Sequence, residues 1–358
     1  MRIIRTLTQI KYINMKSPTT TQCFAIGAAL LCAASTSYGA ALTFTGGNNV
    51  DSNWNLASSW TGNGGVLPTS GDSVLLNQKR RAFVTTDVNF GGSLALANGN
   101  LLTHIAVVDV RTDGTFAVST ASVGSNNGAI GRIDVTGGIM TTTGSVLNRD
   151  TINLSSGTLS LFNAATSGNN HALSAVTGRS GVLNVTGGVL TAGAAMTSGT
   201  IQFRSAIDIS GGSFETVAQT FFAGTSLTVN GDAATIALTQ LNQNNLINRA
   251  VDFNFNFGAT NVSSIVSTGF MSLSSATINV DGSGYAGGAG VFDLITSGNY
   301  TDDVFAASSV TGFAGLDGVV SASGNNLILT LTTAVPEPGT YALLAGLTGL
   351  VFVMVRRR

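Results

Sequence analysis

Between residues 131 and 231 the chain repeats one short pattern, in which apolar and polar residues alternate and then break at glycine. It runs Gly131-Arg132-Ile133-Asp134-Val135-Thr136-Gly137-Gly138-Ile139-Met140, and again Gly181-Val182-Leu183-Asn184-Val185-Thr186-Gly187-Gly188-Val189-Leu190. A third copy is Ala206-Ile207-Asp208-Ile209-Ser210-Gly211-Gly212-Ser213-Phe214; weaker ones begin at Thr151 and Leu227. Alternation of this kind gives a strand with one buried face, and the glycines supply the positive φ that a tight corner needs. The turn glycines Gly137, Gly157, Gly187, Gly211 and Gly231 are separated by 20, 30, 24 and 20 residues. Those are the lengths of solenoid coils, each too small to bury its own apolar face but able to do so by stacking.

The expected fold is therefore all-β, with a parallel β-helix (β-solenoid) as its body. A β-sandwich or jelly roll is the alternative, since alternation does not separate parallel from antiparallel neighbours. Between Pro68 and Pro336 there is no proline, as suits strands that donate on both sides. The region 42–260 reads as the repeat region with an N-terminal cap, in which Trp54 and Trp60 cover the apolar end of the stack. The region 261–333, where the repeat fades, reads as a C-terminal β region capping the other end.

Composition removes several function classes. Glycine supplies 45 of 358 residues and charged residues only 9%, against about 25% charge in an ordinary soluble domain. Apolar content of 44% is enough for a core and argues against disorder. Seven of the 16 basic residues lie in the two ends, as Arg2, Arg5, Lys11, Lys16 and Arg356 to Arg358. The remaining nine face 16 acidic residues in the body, so its net charge is about −7, and no basic stripe exists for nucleic acid.

The ends read as export and sorting signals. Lys16, an apolar stretch from Phe24 to Ala34 and the small residues Ser37, Gly39, Ala40 and Ala41 form a secretory signal peptide over 1–39. Ser37 and Gly39 suit the −3 and −1 positions, which favours cleavage after Gly39, with cleavage after Ala41 as second choice. Residues 1–14 are surplus to that layout, either a long n-region or a start upstream of the true one at Met15. Cys23 and Cys32 both lie in the segment, so the exported form is expected to carry no disulfide and no thiolate metal site.

At the other end, 334–358 contains Pro336-Glu337-Pro338, then an apolar run, then Arg356, Arg357 and Arg358. The prolines predict an extended hinge. The run holds Tyr341, Leu343, Leu344, Leu347, Leu350, Val351, Phe352, Val353 and Val355, and is expected to form a transmembrane helix of 15 residues, about 22 Å long at 1.5 Å per residue. The arginines then act as a cytoplasmic stop, with the body outside.

This order of motif, apolar segment and basic terminus resembles the PEP-CTERM sorting signal of Gram-negative bacteria. The resemblance implies export by the Sec machinery, transient retention at the inner membrane, and recognition of Pro336, Glu337 and Pro338 by an exosortase, the chain being substrate and not catalyst. It further implies delivery to the cell surface or an exopolysaccharide-rich extracellular matrix. The Trp54, Trp60, Pro68, Gly71 and Asp72 arrangement with the Gly-Gly strands resembles the passenger-like regions of autotransporter-associated β-strand proteins.

Little in the body reads as chemistry. His104 and His171 are too far apart, without cysteine between them, to suggest zinc. Asp109, Arg111 and Asp113 have a period of two that would put them on one strand face, and acidic residues beside a basic one are how β-helical polysaccharide lyases bind metal and uronate, which is the hypothesis of a secreted polysaccharide-degrading enzyme. The bland reading, a solvated charge ladder, is preferred. Gly287-Gly288-Ala289-Gly290-Val291-Phe292-Asp293 comes near a calcium β-roll nonapeptide but carries one residue too many and occurs once. Asp281-Gly282-Ser283 lacks the other ligands of an EF-hand loop. No catalytic residue, metal or cofactor is expected; the expected role is structural or adhesive.

Overall fold

The computed structural model describes residues 40–46, 51–62, 65–69, 71–77, 79–97, 105–124, 129–164, 170–174, 181–196, 199–243, 251–300, 305–334 and 338–357. The signal segment with Ser37 and Gly39, and Pro336, Glu337 and Arg358 of the tail, lie outside the described residues. The described chain is all-β, with 28 strands joined in one large sheet and one helix at the C-terminus.

The strands stack in three columns of parallel pairs. One column begins at Asp51–Asn53 and passes through Arg81–Val84, Ile105–Arg111, Ile130–Thr142, Thr151–Leu161, Val182–Val185, Ala206–Ile209, Ser226–Asn230, Val251–Asn256 and Ala276–Asp281 to Ala307–Thr311. A second starts at Asp87–Asn89 and Thr115–Val118 and continues through the later halves of Ile130–Thr142 and Thr151–Leu161 to Val189–Ala192, Gly212–Phe222 and Ala234–Gln243. A third runs from Ala41–Phe44 through Ser73–Leu76, Ser93–Leu96, Thr120–Val123, Val146–Asn148 and Asn170–Ser174 to Thr200–Phe203. Parallel pairing continues past residue 260.

Among the described residues, antiparallel pairs occur only near the two ends. Trp60–Thr61 lies antiparallel to Ala41–Phe44, and Asn326–Thr333 pairs antiparallel with both Gly290–Tyr300 and Leu316–Ser323.

Register explains the core. In the first column Ile133, Ile152, Leu183, Ile207, Leu227, Phe253 and Ile278 stand opposite one another on successive strands, each 0–2% exposed. Truncating one of them, such as Leu183 to Ala, would cost about 2–5 kcal/mol, because Ile152 and Ile207 on the neighbouring strands wall the cavity left behind. Trp54 and Trp60 are buried at 1% and 3%, packed edge to face with ring centroids 4.7 Å apart, beside Phe44 and Phe116. They fill the interior of the first turns of chain, and it is the reversed strand Trp60–Thr61 that covers the backbone edge of Ala41–Phe44.

The corner between the first and second columns is a row of glycines. At Gly188 (φ 73°) a Cβ would lie 2.6 Å from the Gly157 carbonyl oxygen, and at Gly212 (φ 72°) 2.4 Å from that of Gly188. Each corner therefore excludes a side chain on the next.

The C-terminal helix spans Pro338–Arg356. Pro338 opens it, a position where the missing N–H costs nothing, so the expected extended hinge stops short of this residue. The expected transmembrane helix is not supported: among the described residues no helix is long and apolar enough to cross a membrane. Gly346, Thr348 and Gly349 interrupt the apolar run, and its 15 residues rise about 22 Å against a hydrocarbon core of about 30 Å. Its large apolar side chains, among them Leu343, Leu344, Leu347 and Phe352, are 52–70% exposed.

Candidate functional site

The outward residues of the first column form a polar row. Asp109, Asp134, Asn153, Asn184, Asp208, Thr228, Asn254, Asn279 and Ser309 occupy one register position on successive strands. The side chains bond along the row. Asn153 Nδ2 donates to Asp134 Oδ1 at 2.7 Å, Asn184 Nδ2 to Asn153 Oδ1 at 2.8 Å, and Asn254 Nδ2 to Thr228 Oγ1 at 3.1 Å. Asn279 Nδ2 donates to Asn254 Oδ1 at 2.9 Å, and Ser309 Oγ to Asn279 Oδ1 at 2.8 Å. A shorter row two residues along contains Asn230 and Asn256, joined at 2.7 Å, with Asn230 donating to Asp208.

An asparagine amide has two N–H donors and an oxygen acceptor, and the ladder uses one N–H from each donor. Parallel strands repeat at about 4.8 Å, so the row presents a polar group at that interval along the body. Burial pushes the Asp208 carboxyl above its ordinary value, against the opposing hydrogen bond from Asn230.

At the N-terminal end of this face the row meets a charge network. Arg111 Nε donates to Asp109 Oδ2 at 2.6 Å, and its Nη2 pairs with Asp51, which also meets Arg81 Nε at 3.1 Å. Arg132 Nε pairs with Asp134 at 2.8 Å, and Thr136 Oγ1 donates to Asp109 Oδ1 at 2.7 Å. The Arg111 guanidinium lies over the Phe83 ring, 4.6 Å from its centroid. The hydrogen bond that Arg111 donates to Asp109 raises the Arg111 pKa above its ordinary value, burial opposes this, and Asp51 adds to the rise. Three carboxylates thus face three guanidiniums, each partly exposed, a setting where individual pairs contribute about 0–1 kcal/mol.

Asp113 does not join them. The strand ends at Arg111, and Asp113 occupies the following turn with φ 65°. The expected one-face cluster of Asp109, Arg111 and Asp113 is corrected to Asp51, Arg81, Asp109 and Arg111, drawn from three strands. Sequence reasoning missed Asp51 and Arg81; the signal for them was a charged residue recurring on strands that pair in register.

The third column carries a shallow groove of about 670 Å³ on its outer side, lined chiefly by small residues such as Ser73, Ser93, Ala95, Thr120 and Ser122. Thr120 Oγ1 donates to Ser93 Oγ at 3.1 Å across it. His171, by contrast, is 9% exposed and stacks on Phe162, with ring planes at 6°; His104 lies outside the described residues.

The acidic residues of the two remaining motifs are engaged by hydrogen bonds within the chain. Asp281 accepts from Ser283 N–H and Oγ at 2.9 and 3.1 Å, and Asp293, inside the strand Gly290–Tyr300, accepts from Asn326 Nδ2 at 3.1 Å. Among the described residues no group of three or more His, Cys, Asp or Glu side chains is arranged to hold a metal.

Residues 334–358 match the family described as the PEP-CTERM protein-sorting motif. The matched segment contains Pro336, Glu337 and Pro338, the helix and the three terminal arginines. The motif indicates an exported protein with a membrane-associated C-terminal tail, for which an exosortase is the processing partner. No curated protein and no solved structure matches the chain.

Proposed function

We propose, from the premise that this chain is an exosortase-sorted export substrate, that its body is a non-enzymatic structural or adhesive component of the cell surface or extracellular matrix. In this reading the three parallel columns are the faces of a β-helix of the autotransporter-associated repeat type. The Sec machinery exports it, the membrane-associated tail retains it briefly at the inner membrane, and cleavage near Pro336, Glu337 and Pro338 releases it.

The observation that carries the reading is the in-register row from Asp109 to Ser309. Its regular hydrogen-bonding groups suit the hydroxyls of an extended exopolysaccharide, which offers donors and acceptors repetitively along its length. Against the polysaccharide-degrading alternative, Asp109 is committed to Arg111 and Thr136, and Asp113 sits off the face.

The test is co-sedimentation of the exported protein with the producing organism's own matrix polysaccharide. Replacing Asn153, Asn184, Asn254 and Asn279 together by Ala is expected to weaken retention at least tenfold. Unchanged retention by that variant, with its strand spectrum intact, rejects this binding face.

A further inference from the structure

The described compact unit begins at Ala40, one residue past the favoured signal cleavage point. Both backbone groups of Ala40 are already engaged. Its nitrogen donates to Asp72 Oδ1 at 2.7 Å, and its carbonyl accepts from Ser73 N–H at 2.9 Å. Asp72 is 6% exposed; its other oxygen accepts from Thr69 N–H at 2.7 Å and Thr69 Oγ1 at 3.0 Å. Its carbonyl accepts from Ser93 N–H at 3.1 Å, so the residue is fixed between two strands of the third column.

We propose that Asp72 is a receptor for the new N-terminus: signal cleavage between Gly39 and Ala40 converts the Ala40 amide into an ammonium that forms a part-buried ion pair with the Asp72 carboxylate. The inference rests on the export reading and adds the exact mature terminus and its binding partner. In the cleavage, water breaks the Gly39–Ala40 C–N bond. Its oxygen goes to the Gly39 carboxylate, and the Ala40 nitrogen, protonated at neutral pH, leaves as –NH3+.

Three observations support this. The carboxylate is already held ionised: burial pushes it up, but the hydrogen bonds from Thr69 and Ala40 outweigh that and keep it below its ordinary value. Within the surrounding strands Ala41–Phe44, Trp60–Thr61, Ser73–Leu76 and Ser93–Leu96 there is no charged residue, so Asp72 is the charge that faces the terminus. Cleavage after Ala41 would instead remove the residue that bonds both Asp72 and Ser73 and cut into the strand Ala41–Phe44.

The sign of the pH dependence follows. A free α-amine titrates near pH 8. Pairing with Asp72 raises its value in the folded state, so the stabilisation is complete below about pH 8 and is lost as pH rises through the folded value.

N-terminal sequencing of the exported protein is expected to return Ala40. Met1 or Met15 would overturn the export reading itself, whereas Leu42 would leave export standing and overturn the ion pair. Two forms of the body, one starting at Ala40 and one extended by Ser37-Tyr38-Gly39, should then differ in melting temperature at pH 6.5 by about 2 °C or more in favour of Ala40. That gap should close above about pH 9.5, and Asp72→Asn, which keeps an acceptor oxygen, should abolish it. Equal melting of the two forms across this range overturns the proposal, a comparison that stands even if Asp72→Asn fails to fold.

Discussion

The Asn184 amide donates to Asn153 Oδ1 at 2.8 Å, although the two residues are 31 apart in the chain. Above Asn184 stands Asp208, its register partner on the next strand. Replacing Asn184 by Ala removes one link of the row and is expected to cost about 0.5–1.5 kcal/mol, read as a lower urea midpoint. Asn184→Asp should cost more at pH 7 than at pH 3, because it puts like charges directly opposite each other.

Asp208 itself should be a small liability. Its carboxyl is raised by burial, so the fold favours the protonated form; stability is complete at low pH and falls as pH rises through the folded value. Asp208→Asn is therefore expected to raise the urea midpoint at pH 7 and to leave it unchanged below about pH 3. Urea titrations at the two pH values give the comparison.

The glycine row separates backbone conformation from close approach. Gly188→Ala meets both a left-handed φ and the Gly157 oxygen at 2.6 Å, and should cost about 2–3 kcal/mol. At Gly231 φ is 68° but a Cβ would find nothing within 4 Å, so Gly231→Ala should cost only about 1 kcal/mol. Thermal melting of the two variants side by side reads the difference.

Trp54→Ala should be the most damaging single truncation near the N-terminal end. It empties a site 1% exposed between Trp60 and Phe116, at an expected cost of about 3–5 kcal/mol. The Trp60 indole hydrogen bond goes to the Trp54 backbone oxygen at 2.8 Å and survives the change. Near-ultraviolet circular dichroism of the remaining Trp60 reports whether its setting is kept.

For the tail, Glu337→Ala and Pro336→Ala are expected to leave the unprocessed protein in the inner-membrane fraction, whereas the natural sequence is expected to release the body. Fractionation with intact mass distinguishes the two. Release of the variants at the normal mass would separate processing from the motif.

The strand faces were legible because alternation is local: Leu183 and Val185 point inward and Asn184 outward whatever strand lies next door. Pairing was not. Asp51 reaches Arg111 across 60 residues, and no local pattern encodes which coil-length segment lands beside which. The Gly137-Gly138 pair reads as a turn, yet Ile130–Thr142 continues through it as one bulged strand that joins two columns. Asp113 was misplaced for a related reason, since a period of two holds only while the strand lasts. Proline and basic residues marked the tail, but apolar content alone overstated how much of it makes a membrane-length helix.

The reversed strands at the extremities have a consequence for a protein delivered into a crowded layer. Trp60–Thr61 shuts the starting rim of one column and Asn326–Thr333 sits across the finishing rim of another, each running against the direction a newcomer would need. At those two rims the parallel register of the column is broken, so a further parallel strand finds no matching edge there to extend.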